Sequence, residues 1–202
     1  MTADVFASAA RAFTRLVQSL PASAWDGPGL GEWDMRALIG HTSRSLITVS
    51  TYLRTPATRE DVSSAVDYYV KIRDYMSDSG AAAIVERGRQ AGRDLGDDPV
   101  AAIEPLLTRA LDDVDGAGDP LIAVIGGLGI RLSDYLQTRV FELTVHSLDI
   151  AAAAGVTVDL PPEALEAAAV LATRVSVALG EGDTVLRALT GRAPLPHSFS
   201  VT

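Results

Sequence analysis

Along the N-terminal segment apolar side chains recur every three or four residues, at Val5, Phe6, Ala9, Ala10, Phe13, Leu16, Val17 and Leu20. That period puts them on one face and predicts an amphipathic helix. Pro21 and the Gly27-Pro28-Gly29 cluster end it in a loop. Asp34 is placed to N-cap a second helix that starts after Trp33 and carries Met35, Leu38, Ile39, Leu46 and Val49 to about Leu53. Gly40 in its interior costs roughly 1 kcal/mol relative to alanine, a cost that a tight packing contact beside His41 would justify.

Thr55 to Asp61 reads as loop, and Ser63 to Tyr75 and Ala81 to Asp94 each read as helix, the latter interrupted by Gly88 and Gly92. Asp98-Pro99 opens a helix running from Val100 to Val114, and Asp115 to Pro120 forms a turn. Leu121 to Leu132 is β-branched and glycine-rich, a pattern that suits a short hairpin about Gly126-Gly127. Ser133 to Ala154 is a regular helix closed by Gly155. Pro161-Pro162 opens another from Glu163 to Leu179, and a short helix, Asp183 to Leu189, precedes an irregular tail from about Gly191 to Thr202. With no internal repeat or low-complexity linker, residues 1–202 are expected to form one all-α domain.

A chain of 202 residues has room for one sizeable core, and its 48% hydrophobic content fits a globular protein. The net charge of −9 argues against nucleic acid or an anionic membrane as partner, because both demand clustered cations. There are no cysteines, which excludes disulfides, thiolate metal sites and a protein-borne sulfur nucleophile. Met1 to Arg11 lacks the basic and apolar regions of a signal peptide, and the longest apolar stretch, Pro120 to Ile130, is broken by glycines. A cytoplasmic protein is expected.

Candidate chemistry concentrates on the Ser133–Ala154 helix. At about 100° per residue, Tyr135, Arg139, Glu142, His146 and Asp149 fall on one stripe. Leu136, Leu143 and Ile150 border it on one side, and Phe141, Val145 and Leu148 on the other, while Val140, Thr144, Ser147 and Ala151 lie opposite. Charged stripes ordinarily face water, but here the bulky side chains flank the stripe instead of opposing it. A polar seam between apolar walls is how helical bundles build metal sites, and the wheel leaves both readings open. Glu142 and His146, four apart, project from successive turns and can reach one ion at about 2.0–2.2 Å. Of the three histidines, His197 lies in the proline-rich tail, which leaves His41 as the third donor; a lone histidine there is more often a packed core residue, and only beside a helix bearing Glu142 and His146 does it complete a ligand set. Arg139 and Asp149 read either as supports for the site, with Asp149 fixing the His146 tautomer and Arg139 holding Glu142 or an anionic substrate, or as surface charges. Trp33 reads first as a core anchor.

The segments Trp33-Asp34-Met35-Arg36-Ala37-Leu38-Ile39-Gly40-His41 and Arg139-Val140-Phe141-Glu142-Leu143-Thr144-Val145-His146-Ser147-Leu148-Asp149 resemble the two signature segments of the mycothiol-dependent maleylpyruvate isomerase family, within the DinB-like metal-binding bundles. Leu186 to Arg192 and Pro194-Leu195-Pro196 are similar to the ends of single-domain members. The resemblance implies a DinB-like up-and-down four-helix bundle with extra short helices, holding zinc or another divalent ion at His41, Glu142 and His146. It also implies mycothiol as cofactor, with a small-molecule thiol and an electrophilic substrate as partners, and an isomerase or transferase activity. The family's isomerase carries a second, C-terminal domain that helps bind its dicarboxylate, so an electrophile other than maleylpyruvate is expected here. A hydrolase using activated water, or a non-catalytic metal-binding bundle with a protein partner, are the alternatives, and a homodimer is one option for the assembly.

Overall fold

Phe6 and Phe13, two turns apart on the first helix, are fully buried, and the bundle is organised around the face they define. The computed structural model describes residues 2–79 and 81–201, the side chains of residues 74–79 and 81 excepted; Thr202, the end of the expected tail, lies outside the described residues. The chain runs α1 (Thr2–Ser19), α2 (Met35–Tyr52), α3 (Ala65–Ser79), α4 (Ala81–Asp94), α5 (Pro99–Val114), β1 (Leu121–Ala123), β2 (Gly129–Arg131), α6 (Leu132–Ala154), α7 (Pro162–Ala178) and α8 (Gly182–Leu189). It is an all-α protein with one small hairpin, as expected from the sequence. Helices α1, α2, α5 and α6 pack on one another as a four-helix core. Helix α4 lies against α2, α7 against α6, and α3 touches both α6 and α7. No helix among the described residues is long and apolar enough to cross a membrane.

The helix starts follow the capping residues. The Asp34 carboxylate accepts from the Ala37 N–H at 2.7 Å, and that of Asp98 from the Ala101 N–H at 3.0 Å. The hairpin turns through Gly126 and Gly127, with φ of 71° and 74°, a left-handed pair that side-chain-bearing residues rarely adopt. Both of its edges are covered by the preceding loop. Thr55 and Ala57 bond to β1, while the Asp61 and Val62 N–H groups donate to the Gly129 carbonyl at 2.8 and 2.9 Å. An edge paired in this way offers no template to another chain.

Helices α2 and α4 approach backbone to backbone. A Cβ on Gly40 would sit 2.2 Å from the Gly92 nitrogen, and one on Gly92 would sit 2.8 Å from the Arg36 carbonyl oxygen. The Arg36 guanidinium then reaches across to the Gly92 and Gly96 carbonyls at 3.2 and 2.7 Å, satisfying the C-terminal end of α4. One turn earlier, Gly88 admits the Trp33 ring, which would meet an added Cβ at 2.4 Å. Gly88 and Gly92 therefore do not interrupt α4; four residues apart, they form the flat face on which α2 and its leading tryptophan lie.

The crossing sets the sign of one substitution. Alanine for glycine inside a helix ordinarily gains about 1 kcal/mol. Gly40→Ala should instead lose about 1–3 kcal/mol, because the added methyl drives two backbones apart. Denaturant unfolding checks it, and a variant as stable as the parent would mean that the two helices do not meet at this glycine.

Candidate metal centre

Helix α6 is buried around most of its circumference. The small face of Val140, Thr144, Ser147 and Ala151 is buried in the core, where α1 packs alongside. The stripe of Tyr135, Arg139, Glu142, His146 and Asp149 does not face bulk water: Tyr135 is buried and the other four are partly covered. Tyr135, Arg139, Glu142 and His146 meet side chains of α2 or α3, so both faces of the helix are engaged and neither serves simply as a solvated surface.

Glu142 and His146 meet as their four-residue spacing requires, with the imidazole Nε2 3.3 Å from carboxylate Oε2. His41, delivered by α2, completes a group whose donor atoms all lie within 4.8 Å of one another. That span is little more than twice the roughly 2.0–2.2 Å of a zinc–nitrogen or zinc–oxygen bond. The His41 ring stands edge-on to His146, centroids 5.1 Å apart, and its other side lies against Trp33 at 4.4 Å. His41 Nδ1 is buried without a hydrogen-bond partner among the described residues. Two imidazoles and a carboxylate converging in this way fit a divalent cation of borderline softness.

Each of the two α6 donors is held from behind. The Tyr69 hydroxyl, on α3, donates to Glu142 Oε1 at 2.7 Å and lies 3.3 Å from the Thr138 carbonyl. His146 Nδ1 lies 3.0 Å from Asp149 Oδ2. With the Nδ1 proton directed at that carboxylate, Nε2 is the nitrogen turned toward Glu142. Asp149 itself stays outside the three-residue donor group.

The electrostatics follow from burial and pairing. Burial pushes the Glu142 carboxyl up, yet the His146 hydrogen bond and the Arg139 charge outweigh it and bring the group down to about 2. Burial would lower His146, but the hydrogen bonds to Asp149 and Glu142 raise it to about 9. His41 has no such support: burial first, then the His146 charge, bring it down to about 4. Near neutral pH the trio thus holds a carboxylate, an imidazolium and a neutral imidazole, with the His146 proton lying between His146 and Glu142. The Tyr69 phenol is raised by burial and by the Glu142 charge, so it stays protonated as a donor.

Arg139 is neither a surface charge nor bonded to Glu142 within ion-pair distance among the described residues. Its guanidinium stacks over the Tyr135 ring at 4.8 Å and approaches that of Tyr68 at 5.9 Å, while Nε donates to Thr138 Oγ1 at 3.0 Å. Tyr135 in turn donates to Thr48 Oγ1 at 2.8 Å. Trp33 does more than anchor the core: its indole donates to the Val85 carbonyl at 2.9 Å, and its ring roofs His41. His197 is exposed in the tail.

Trp33, His41, Tyr135, Arg139, Glu142 and His146 line a cavity of about 630 Å³, a volume typical of small-molecule sites. Several of its walls come from residues that sequence reading did not single out: Tyr52, Tyr68 and Tyr69, Arg44, and, from the tail, Ser198, Ser200 and Val201. For the tyrosines a faint signal existed, since the adjacent Tyr68-Tyr69 pair puts a polar tip on an apolar helix face. For the tail there was none.

No curated protein and no solved structure matches the chain. A family model does, that of the mycothiol maleylpyruvate isomerase N-terminal domain, over residues 6–151. The matched region runs from within α1 through nearly all of α6, and with it His41, Glu142 and His146, so the chain belongs to the mycothiol maleylpyruvate isomerase N-terminal domain family.

Proposed function

We propose that His41, Glu142 and His146 hold a divalent metal, zinc or a similar ion, and that the centre serves a thiol-dependent isomerisation or transfer on a small electrophile. The observation that carries this reading is the convergence of the three donors within 4.8 Å at a cavity large enough for a small molecule. The family's name supplies the thiol, mycothiol. A divalent ion so placed lowers the pKa of a bound thiol and makes the thiolate available at neutral pH.

The chain's own residues do the rest. Asp149 holds His146 in the tautomer that offers Nε2. Asp149 faces the far side of that ring, which leaves three protein donors and an open position, the arrangement of reactive rather than structural sites. Arg44 and Arg139 line the cavity and favour an anionic ligand such as a thiolate. Trp33, Tyr68 and Tyr135 keep the surroundings apolar, so these charges act through a low effective dielectric.

His41→Ala and His146→Ala should each abolish stoichiometric metal uptake, whereas Asp149→Asn should weaken it by about 10–100-fold. Elemental analysis after dialysis reads both, and wild-type metal content in either alanine variant would overturn the ligand assignment.

Metal uptake should also release protons. In the metal-free protein His146 is raised to about 9 and is charged at neutral pH, while His41, lowered to about 4, is already neutral. Between those limits binding expels close to one proton, from His146. The apparent affinity therefore rises about tenfold per pH unit and levels off above about pH 9. Titration calorimetry in buffers of different ionisation enthalpy measures the count; release of no proton at pH 7 would contradict the pairing.

Finally, mycothiol should bind the metal-loaded protein and not the metal-free one. Equal affinity for both forms, by calorimetry, would remove the thiol from the metal and turn the reading toward activated water.

A further inference from the structure

We infer that Tyr69 is a positioning residue that confines Glu142 to one metal-facing oxygen and so keeps a coordination position open for an external ligand. The inference rests on the reading that His41, Glu142 and His146 hold a metal. It concerns how many bonds Glu142 makes there, which the donor set alone leaves undetermined, since a carboxylate can bind an ion through one oxygen or two.

The two oxygens of Glu142 are differently engaged. Oε2 lies 3.3 Å from His146 Nε2, on the side of the donor group. Oε1 accepts from the Tyr69 hydroxyl at 2.7 Å. The bond is short and charge-assisted, and stronger than a neutral pair. The same hydroxyl stands 3.3 Å from the Thr138 carbonyl, a longer contact to a neutral acceptor. The carboxylate is thus the preferred acceptor, and chelation through both oxygens would set the metal in competition with Tyr69 for the electron density and orientation of Oε1.

Tyr69 has little freedom to follow such a turn. It is buried, and its ring packs edge-to-face on Phe141 at 5.3 Å and on Tyr68 at 5.6 Å. Phe141 is the neighbour of Glu142 in sequence, so the ring and the carboxylate are fixed to the same turn of α6. If Glu142 rotated, a buried hydroxyl would keep only its weaker partner, which a protein interior penalises. Removing the hydroxyl lifts that restraint while leaving the ring packing in place.

The test is Tyr69→Phe in the full-length protein, loaded with cobalt(II) as a spectroscopic probe. Both proteins should take up one equivalent. The variant's visible cobalt absorption should weaken, the signature of a higher coordination number, and its affinity for added azide should fall about tenfold or more. A merely structural role would lower metal uptake or thermal stability and leave the spectrum of the bound fraction unchanged. An unchanged spectrum with unchanged azide affinity overturns the inference. X-ray absorption of the zinc-loaded wild type gives an answer that does not depend on the variant folding: one oxygen from Glu142 at bonding distance supports the inference, and two overturn it. A wild-type protein that takes up no metal overturns the metal reading itself and this inference with it, whereas bound metal with a two-oxygen Glu142 overturns this inference alone.

Discussion

Keeping the partly buried Glu142 carboxylate ionised is the constraint on which the rest of the site depends. An ionised carboxylate withdrawn from water is costly unless charges and donors nearby offset the loss of hydration. Here the offset comes from three directions. His146 lies one turn along the same helix, Arg139 contributes its charge from one turn before, and Tyr69 donates from α3. None is redundant in geometry: His146 and Tyr69 engage opposite oxygens, and Arg139 acts through space without touching either. Arg139 carries a burial cost of its own, which the faces of Tyr135 and Tyr68 help to offset. The Glu142 carboxylate thus ties α3 to α6 through Tyr69, and the Tyr68 and Tyr135 rings face the arginine beside it.

The opposite wall depends on close approach rather than charge. Gly40 and Gly92 let α2 and α4 meet backbone to backbone, and Gly88 makes room for Trp33. The indole is fixed by its bond to the Val85 carbonyl and presents its ring to His41. His41 follows Gly40 directly, so the glycine that sets the helix crossing also sets where the imidazole emerges. Packing between α2 and α4 and charge compensation between α3 and α6 are separate devices, the first placing His41 and the second Glu142.

What could be read from the sequence was what is local. The α6 stripe was visible because its members share one helix and its period, and Asp34 and Asp98 were visible as caps because a cap acts within one turn. The hairpin announced itself through two adjacent glycines. By contrast, Gly88 and Gly92 looked like breaks in α4, since helix propensity is a local quantity and their compensation lies on another helix. Tyr69 was passed over for a related reason: 73 residues separate it from Glu142, and no periodicity links an α3 hydroxyl to an α6 carboxylate. Ser198, Ser200 and Val201 belong to an irregular segment, whose path to the cavity is set by side-chain packing rather than by any repeating pattern. The wheel pointed to a polar seam but could not show that the small face behind it is buried as well, because burial of that face depends on α1.

The distribution of charge bears on what such a cavity favours. The chain as a whole carries −9, yet among the described residues the cavity lining includes Arg44 and Arg139 beside the Glu142 carboxylate. Charges on the acidic exterior are screened beyond about 8–10 Å at physiological salt, whereas those lining a partly enclosed cavity are screened much less. The potential inside therefore owes more to the groups that line it, Arg44 and Arg139 among them, than to the net charge. Arg44 and Arg139 add to the lowering of His41, after burial and the His146 charge. The same field that disfavours a proton on His41 favours a negative charge on anything bound beside it. Burial, the His146 charge and this field together keep the His41 imidazole neutral, whereas the preference for an anionic ligand comes from the field alone.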